Sequence, residues 1–218
     1  MTDFNEKFLS AFMLWQTVLQ IHNDCVKSPV ICFEDYFNYT SNRAIDGLFM
    51  EFGVAGGNTV TKIANANPGK KIYGFDSFKG LPEPWEFHPR GLFVRDAPPE
   101  VPDNVELVIG MFQDTLGSFL AAHQEPVAFV HIDCDLYSST KFVLERLHSR
   151  FVEGTVIAFD EVYNLKKNLK HEARAFAEFL DETGFSYRCL GHFNSDKAGF
   201  MLFPPPSYDV EVGPGVAQ

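Results

Sequence analysis

Positive charge is scarce in this chain: 18 lysines and arginines stand against 29 aspartates and glutamates in 218 residues, for a formal net charge of -11. Binding to a phosphate backbone needs a concentrated basic surface, and the one basic cluster, Lys166, Lys167 and Lys170, reads as a solvated helix face. No nucleic-acid partner is expected. Cysteine is sparse as well. Cys25, Cys32, Cys134 and Cys189 show no CxxC or Cys/His zinc spacing, and a chain of this length with 45% hydrophobic residues can build a core without disulfide staples. Reduced thiols and a cytoplasmic location are the expectation. Long apolar runs are missing too. The stretch from Phe8 to Ile21 is interrupted by Ser10, Gln16, Thr17 and Gln20, and it lacks a basic leader region and a small-residue cleavage site. It is read as neither a membrane span nor a secretory signal, and no membrane partner is expected. The sequence shows no internal repeat and no low-complexity tract.

What is present has a clear order. Phe8, Phe12, Trp15 and Leu19 recur at helical spacing and predict an amphipathic helix that caps the domain or meets a partner subunit, so a homodimer is expected. The stretch from Pro29 to Gly47 mixes aromatic and polar residues without a period and reads as helix or loop. From Gly47 onward, apolar runs of strand length alternate with helical segments: "GLFMEFGV", "KKIYGFDSF", "VELVIGMF", "PVAFVHIDCD", "GTVIAFDE", "FSYRCLGHF" and "AGFMLFP". The first five are widely separated and the last two close together, which predicts an α/β fold with a mostly parallel seven-stranded sheet and an antiparallel C-terminal hairpin. Helices are expected near Asn58 to Asn65, Asp114 to His123, Ser139 to Phe151, and Lys170 to Thr183 with Gly184 as the stop. The division expected is a helical extension over 1–46, one α/β domain over 47–206 and a fraying tail over 207–218. Leu81 to Asn104 carries six prolines and no apolar period. A loop of that length in a compact domain is more often a lid or binding loop than an idle connection.

Carboxylates close two of the runs. Asp133 and Asp135 follow the fourth, and the adjacent Asp160 and Glu161 follow the fifth. An acid beside a core needs a metal, a cation or a substrate proton to compensate it. In open α/β sheets, ligands lie just beyond the carboxyl ends of the strands, where these residues are expected. "FMEFGVAGGNTV" reads as a strand, a glycine-rich turn and a helix start, with Glu51 on the strand, Gly53 opening the turn and Gly56 with Gly57 completing it. Glycines let the backbone turn tightly against a ligand, while the spacing departs from GxGxxG and Glu51 suits a ligand with a cationic end. Asp76, after the second strand, lies where doubly wound folds bind an adenosine ribose, or else caps a helix. Together these point to S-adenosylmethionine rather than a nicotinamide dinucleotide.

The segments "EFGVAGGNTV", "YGFDSFKGLPEPW", "GMFQDTL", "VHIDCDLYSST" and "VIAFDEVYN" occur in this order between Gly47 and Asn164. In them the chain resembles class I S-adenosylmethionine-dependent O-methyltransferases, most closely the macrocin- and mycinamicin-type sugar O-methyltransferases that include the novobiocin enzyme. The resemblance implies a Rossmann-like class I methyltransferase fold, with 47–206 as the methyltransferase domain. It implies that Glu51 and Thr59 face the methionine end of the cofactor and that Gly53 and Gly57 make room for it. It also implies that Asp76 holds the ribose hydroxyls, and that Phe112 and Gln113 border the adenine, Phe112 being alternatively core.

By the same resemblance a divalent cation is held by Asp133, Asp160 and Glu161. Oxygen-only ligands suit Mg²⁺. The family usually has two aspartates in the second cluster, so Glu161 is a departure. Asp133 is the first candidate for catalytic base or metal ligand, two roles left open together. His171 is a second candidate base, and Asp135 either acts directly or supports the turn into "LYSST". His131 reads as a buried core histidine. Trp85, His88 and Arg90 are candidates for the acceptor pocket. The expected reaction is methyl transfer to a hydroxyl of a small-molecule acceptor, such as a sugar of a natural product or glycan. The alternatives are a metal-independent methyltransferase of the same fold and a non-catalytic S-adenosylmethionine-binding module.

Overall fold

The computed structural model describes residues 2–163, 170–194 and 196–206, without the side chains of 2–8, 33 and 34. Each apolar run becomes a strand. β1 (Leu48–Phe52), β2 (Ile72–Asp76), β3 (Val105–Ile109), β4 (Val127–Ile132) and β5 (Val156–Phe159) run parallel. β6 (Ser186–Phe193) and β7 (Lys197–Phe203) form the hairpin, and β7 pairs antiparallel with β5. The sheet order is β3-β2-β1-β4-β5-β7-β6. The order reverses between β1 and β4, which makes a switch point where open α/β sheets take their ligands.

Both faces of the sheet are covered, which is why β1, β4 and β5 are buried from end to end and are apolar but for Glu51 and His131. Six helices do the covering. α1 (Thr2–Lys27), α4 (Phe112–Ala122), α5 (Tyr137–Leu147) and α6 (Glu172–Thr183) pack on the face that carries Met50, Phe52, Ile132 and Phe159. α2 (Phe33–Ser41) and α3 (Asn58–Ala66) pack on the face that carries Phe49, Phe129 and Ala158. The irregular stretch after Pro29 therefore holds a short helix, whose Tyr36, Phe37, Thr40 and Ser41 are buried. Gly184 ends α6 in the left-handed region at φ 72°, as its sequence position predicts.

α1 packs through one apolar row and leaves a second exposed. Its packed face is Leu14, Val18, Ile21 and Cys25, whereas Phe12 and Trp15 stand 48% and 44% exposed; Phe8 has no described side chain. Polar anchors select that face. Thr17 Oγ1 donates to Asp181 of α6 at 2.9 Å, and Tyr187 of β6 donates its hydroxyl proton to Asp24 at 2.8 Å. Leu9, Phe12, Met13 and Trp15 stay exposed as a strip. The tail 207–218 and the basic pair Lys166 and Lys167 lie outside the described residues. No described helix is long and apolar enough to cross a membrane.

Candidate active site

The ends of β1, β4 and β5 are knitted together by backbone bonds. Asp133 N–H donates to Phe52 O at 2.9 Å, and Asp160 N–H donates to Ile132 O at 3.0 Å. Gly53 turns away at φ 94°, and a β-carbon there would lie 1.8 Å from the carbonyl oxygen of Asp133. Only glycine lets the two strand ends approach this closely. Above them opens a cavity of about 320 Å³, within the usual range of small-molecule sites. Three of its lining residues, Ala55, Phe93 and Asp135, have positive φ without being glycine (44°, 67° and 59°), a form of strain that collects at functional sites.

Asp76 and Ser77 after β2, and Gly110 to Gln113 after β3, form one side of the cavity. The Asp76 carboxylate accepts N–H bonds from Val54 and Ala55 at 2.9 and 2.8 Å and from Phe78 at 2.7 Å. It thereby fixes the glycine turn and keeps an edge on the cavity. Phe112 serves both readings: it lines the cavity and meets Phe52 edge to face at 5.2 Å. Gln113 is exposed at the rim. Glu51, Gly57 and Thr59 are not among the lining residues. Gly57 gives its space to the long loop, since a β-carbon there would meet Pro99 at 3.1 Å. Glu51 is fully buried on the α2 face, with Oε1 2.9 Å from Nδ1 of an equally buried His131.

The acids Asp133, Asp135, Asp160 and Glu161 line the other side. Burial first, then Asp160, Asp135 and Glu51, holds the Asp133 carboxyl well above the ordinary range, while Lys197 opposes. Burial, then Glu161 and Asp160, pushes Asp135 up to about 7, again against Lys197. Lys197 donates to Asp160 Oδ1, and both side chains are mostly buried. Sequence reasoning missed a further residue. Glu172, wholly buried in the first turn of α6, accepts the Cys134 N–H on Oε1 at 3.1 Å and the Glu161 N–H on Oε2 at 3.0 Å. One side chain thus staples the two acid-bearing loops. The only sequence signal for it is an acid in the first turn of a helix.

The long loop roofs this side. Leu81 N–H donates to Leu92 O at 2.8 Å, Trp85 and His88 exchange backbone bonds, and Ser138 of α5 donates to Glu83. Trp85 and Phe93 reach the cavity, but His88, stacked on Trp85 at 5.8 Å, and Arg90 are exposed and do not. His171 precedes α6 with its ring 6.5 Å from that of Trp85. It does not line the cavity, and burial lowers its pKa, so it is neutral near pH 7. Trp85 Nε1 and His171 Nδ1 are both buried and have no hydrogen-bond partner among the described residues.

For a divalent cation the donor chemistry fits, because every candidate ligand is a carboxylate oxygen and a cationic group, the Lys197 ammonium, already sits on Asp160. Among the described residues, however, no three His, Cys, Asp or Glu side chains converge as a metal-holding group.

Residues 50–162 match the family model described as a methyltransferase domain. Among solved structures, the calicheamicin methyltransferase CalS11 is 26% identical with a TM-score of 0.61, over 75% of each chain. The O-methyltransferase NovP is 20% identical with a TM-score of 0.58 over 78% of each chain, and shares the fold. MycE of the mycinamycin pathway, solved with Mg and S-adenosylhomocysteine, is 12% identical with a TM-score of 0.51, over 83% of this chain and 50% of its own. No curated protein matches the chain. The match spans more than half of the sequence, and the cavity opens at the switch point of a seven-stranded sheet; the chain belongs to the methyltransferase-domain family and is an S-adenosylmethionine-dependent methyltransferase of the class I fold.

Proposed function

We propose that the protein transfers a methyl group from S-adenosylmethionine to a hydroxyl oxygen of a small-molecule acceptor, with a sugar ring of a natural product or glycan as the acceptor class. The observation that carries this reading is one cavity joining Asp76 and Gln113 on the β2/β3 side to Asp133, Asp135 and Asp160 on the β4/β5 side, under Trp85. Asp76 Oδ1, which accepts one backbone N–H bond, has a lone pair left for a ribose hydroxyl, and Phe112 with Gln113 borders the adenine. S-adenosylmethionine, when bound, supplies an electrophilic methyl group and leaves as S-adenosylhomocysteine. Asp133 accepts the acceptor's hydroxyl proton, and the bond from its N–H to Phe52 O fixes its place beside Gly53. Asp133, Asp160 and Glu161 are the residues that would hold Mg²⁺, which when bound makes a hydroxyl easier to deprotonate.

Trp85 supports the acceptor class. An indole that lines the cavity suits a pyranose, whose C–H face stacks on the ring. CalS11 is described as a TDP-rhamnose 3'-O-methyltransferase, which agrees with this choice. The test is calorimetric titration of S-adenosylhomocysteine into EDTA-treated protein, followed by mass spectrometry of nucleotide sugars, glycosides and catechols incubated with S-adenosylmethionine. Binding together with a methyl gained on a sugar hydroxyl is the expected result. No binding overturns the cofactor assignment, and methylation confined to catechols overturns the acceptor class.

A further inference from the structure

All four cysteines are thiols, and no sequence spacing links any two of them. The fold brings two together. Cys25 lies in the last turn of α1 and Cys189 in β6, 164 residues on, and their sulfurs stand 3.8 Å apart. A second contact joins the same two elements beside them: the Tyr187 hydroxyl, two residues before Cys189 and on the same side of the strand, donates to Asp24, next to Cys25. The two sulfurs are thereby held facing each other. A disulfide needs about 2.05 Å, a closure of roughly 1.8 Å shared between two side chains. β6 is the edge strand of the sheet, and Cys189 is half-buried there, whereas Cys25 is fully buried. The contact with Cys25 first, then Ser28 and the Gly191 N–H, lowers the Cys189 pKa against burial; the same contact, with burial, raises that of Cys25. The thiolate, which is the form that peroxides oxidise, therefore forms at the sulfur that solvent reaches more easily.

We propose that Cys25 and Cys189 form a redox-modification site: a hydroperoxide oxidises Cys189, and Cys25 resolves the product to a disulfide that ties α1 to β6. In the first step the Cys189 thiolate attacks one peroxide oxygen, the S–O bond forms as the O–O bond breaks, and the leaving oxygen takes a proton; the sulfur loses two electrons to the peroxide. In the second step the Cys25 sulfur attacks that of Cys189, the S–O bond breaks, and the hydroxide leaves as water with the Cys25 proton. Neither cysteine lines the cavity, so this site stands apart from the methyl-transfer reading. The bond closes a very long loop, which restricts the unfolded chain and raises the melting temperature.

The experiment treats the full chain with hydrogen peroxide in a Cys32→Ser background, which removes the exposed thiol. One portion is quenched, alkylated and digested without reductant for mass spectrometry, and another is melted with and without dithiothreitol. The expected result is a peptide pair joined at Cys25 and Cys189 together with a Tm higher by about 5–10 °C, both abolished by dithiothreitol. Adding Cys25→Ser should leave Cys189 as a sulfenic acid that dimedone captures, because the resolving thiol is gone. Recovery of Cys189 as an unmodified thiol overturns the proposal, as does its passage to sulfinic acid without a joined pair. A joined pair with an unchanged or lower Tm overturns the tie between α1 and β6.

Discussion

Glu172→Gln is the substitution that most directly tests how the acid-bearing loops are held. Glutamine keeps the size and one acceptor oxygen, but its amide NH₂ must face a backbone N–H, either that of Cys134 or that of Glu161, which Glu172 now receives at 3.1 and 3.0 Å. Losing one charge-assisted bond costs about 1.5–3 kcal/mol, and the stranded buried donor adds roughly 1–3 kcal/mol. An opposing effect follows from the surroundings: burial first, then Asp133, raises the Glu172 pKa, against the Glu161 N–H bond that lowers it. Removing the charge relieves that repulsion. The net loss is therefore set at about 2 kcal/mol, or roughly 4–8 °C in Tm for a domain of this size. Activity should fall further than stability does, because the loops carry Asp133, Asp135, Asp160 and Glu161. A displacement of about 1 Å at reacting groups lowers kcat on the order of a hundredfold. Asp76 and Gln113 lie on the other side of the cavity, so affinity for S-adenosylhomocysteine should stay within about threefold of wild type. The assays are differential scanning calorimetry, cofactor calorimetry and steady-state kinetics on the same preparation. A kcat at the wild-type level with the expected fall in Tm would refute the positioning role and leave Glu172 a structural staple.

Asp76→Ala should weaken S-adenosylhomocysteine binding about a hundredfold by calorimetry, because it removes a ribose partner and unmoors the N–H groups of Val54 and Ala55. Unchanged affinity would return Asp76 to a purely structural role in the glycine turn. Trp85→Ala should raise KM for a sugar acceptor about tenfold while cofactor affinity holds, through loss of the stacking face. An equal loss of cofactor affinity would place the indole over the wrong ligand. Glu51→Ala leaves Nδ1 of buried His131 without its partner and should lower stability by about 1–3 kcal/mol in a thermal melt, with cofactor affinity retained. Loss of cofactor binding at an unchanged Tm would restore the sequence expectation that Glu51 faces the methionine end.

The sheet was legible because a parallel strand covered on both faces is nearly continuous in apolar residues, so the carboxylates or glycine turn that follow the run mark its carboxyl end, while Glu51 and His131 lie inside β1 and β4 as exceptions. That pattern places Asp76, Asp133, Asp160 and Glu161 at the carboxyl ends of β2, β4 and β5, where the cavity opens. It says nothing about partners brought in by the tertiary fold. Glu172 reaches Cys134 across 38 residues and Lys197 reaches Asp160 across 37, and no local period connects either pair. Which face of α1 packs has a related origin. Its sequence offers two apolar rows, and the choice between them is made by Asp181 and Tyr187, residues far along the chain.

Glu51 shows what strand parity adds. On a strand the side chains alternate, so Glu51 shares the face of Phe49, while Met50 and Phe52 share the other. Both faces are buried, so an acid inside the strand cannot reach the rim; only the turn that begins at Gly53 does. His131 stands two residues before Asp133 just as Glu51 stands two before Gly53. Once Gly53 and Asp133 meet at the ends of adjacent parallel strands, Glu51 and His131 must lie level beneath them, which is the register observed. The acid that the resemblance turns toward the cofactor's methionine end is paired through Oε1 with an imidazole, which lies against the Phe37 ring at 5.1 Å. The buried pair lies level between β1 and β4, in the register that brings Gly53 and Asp133 together directly above it.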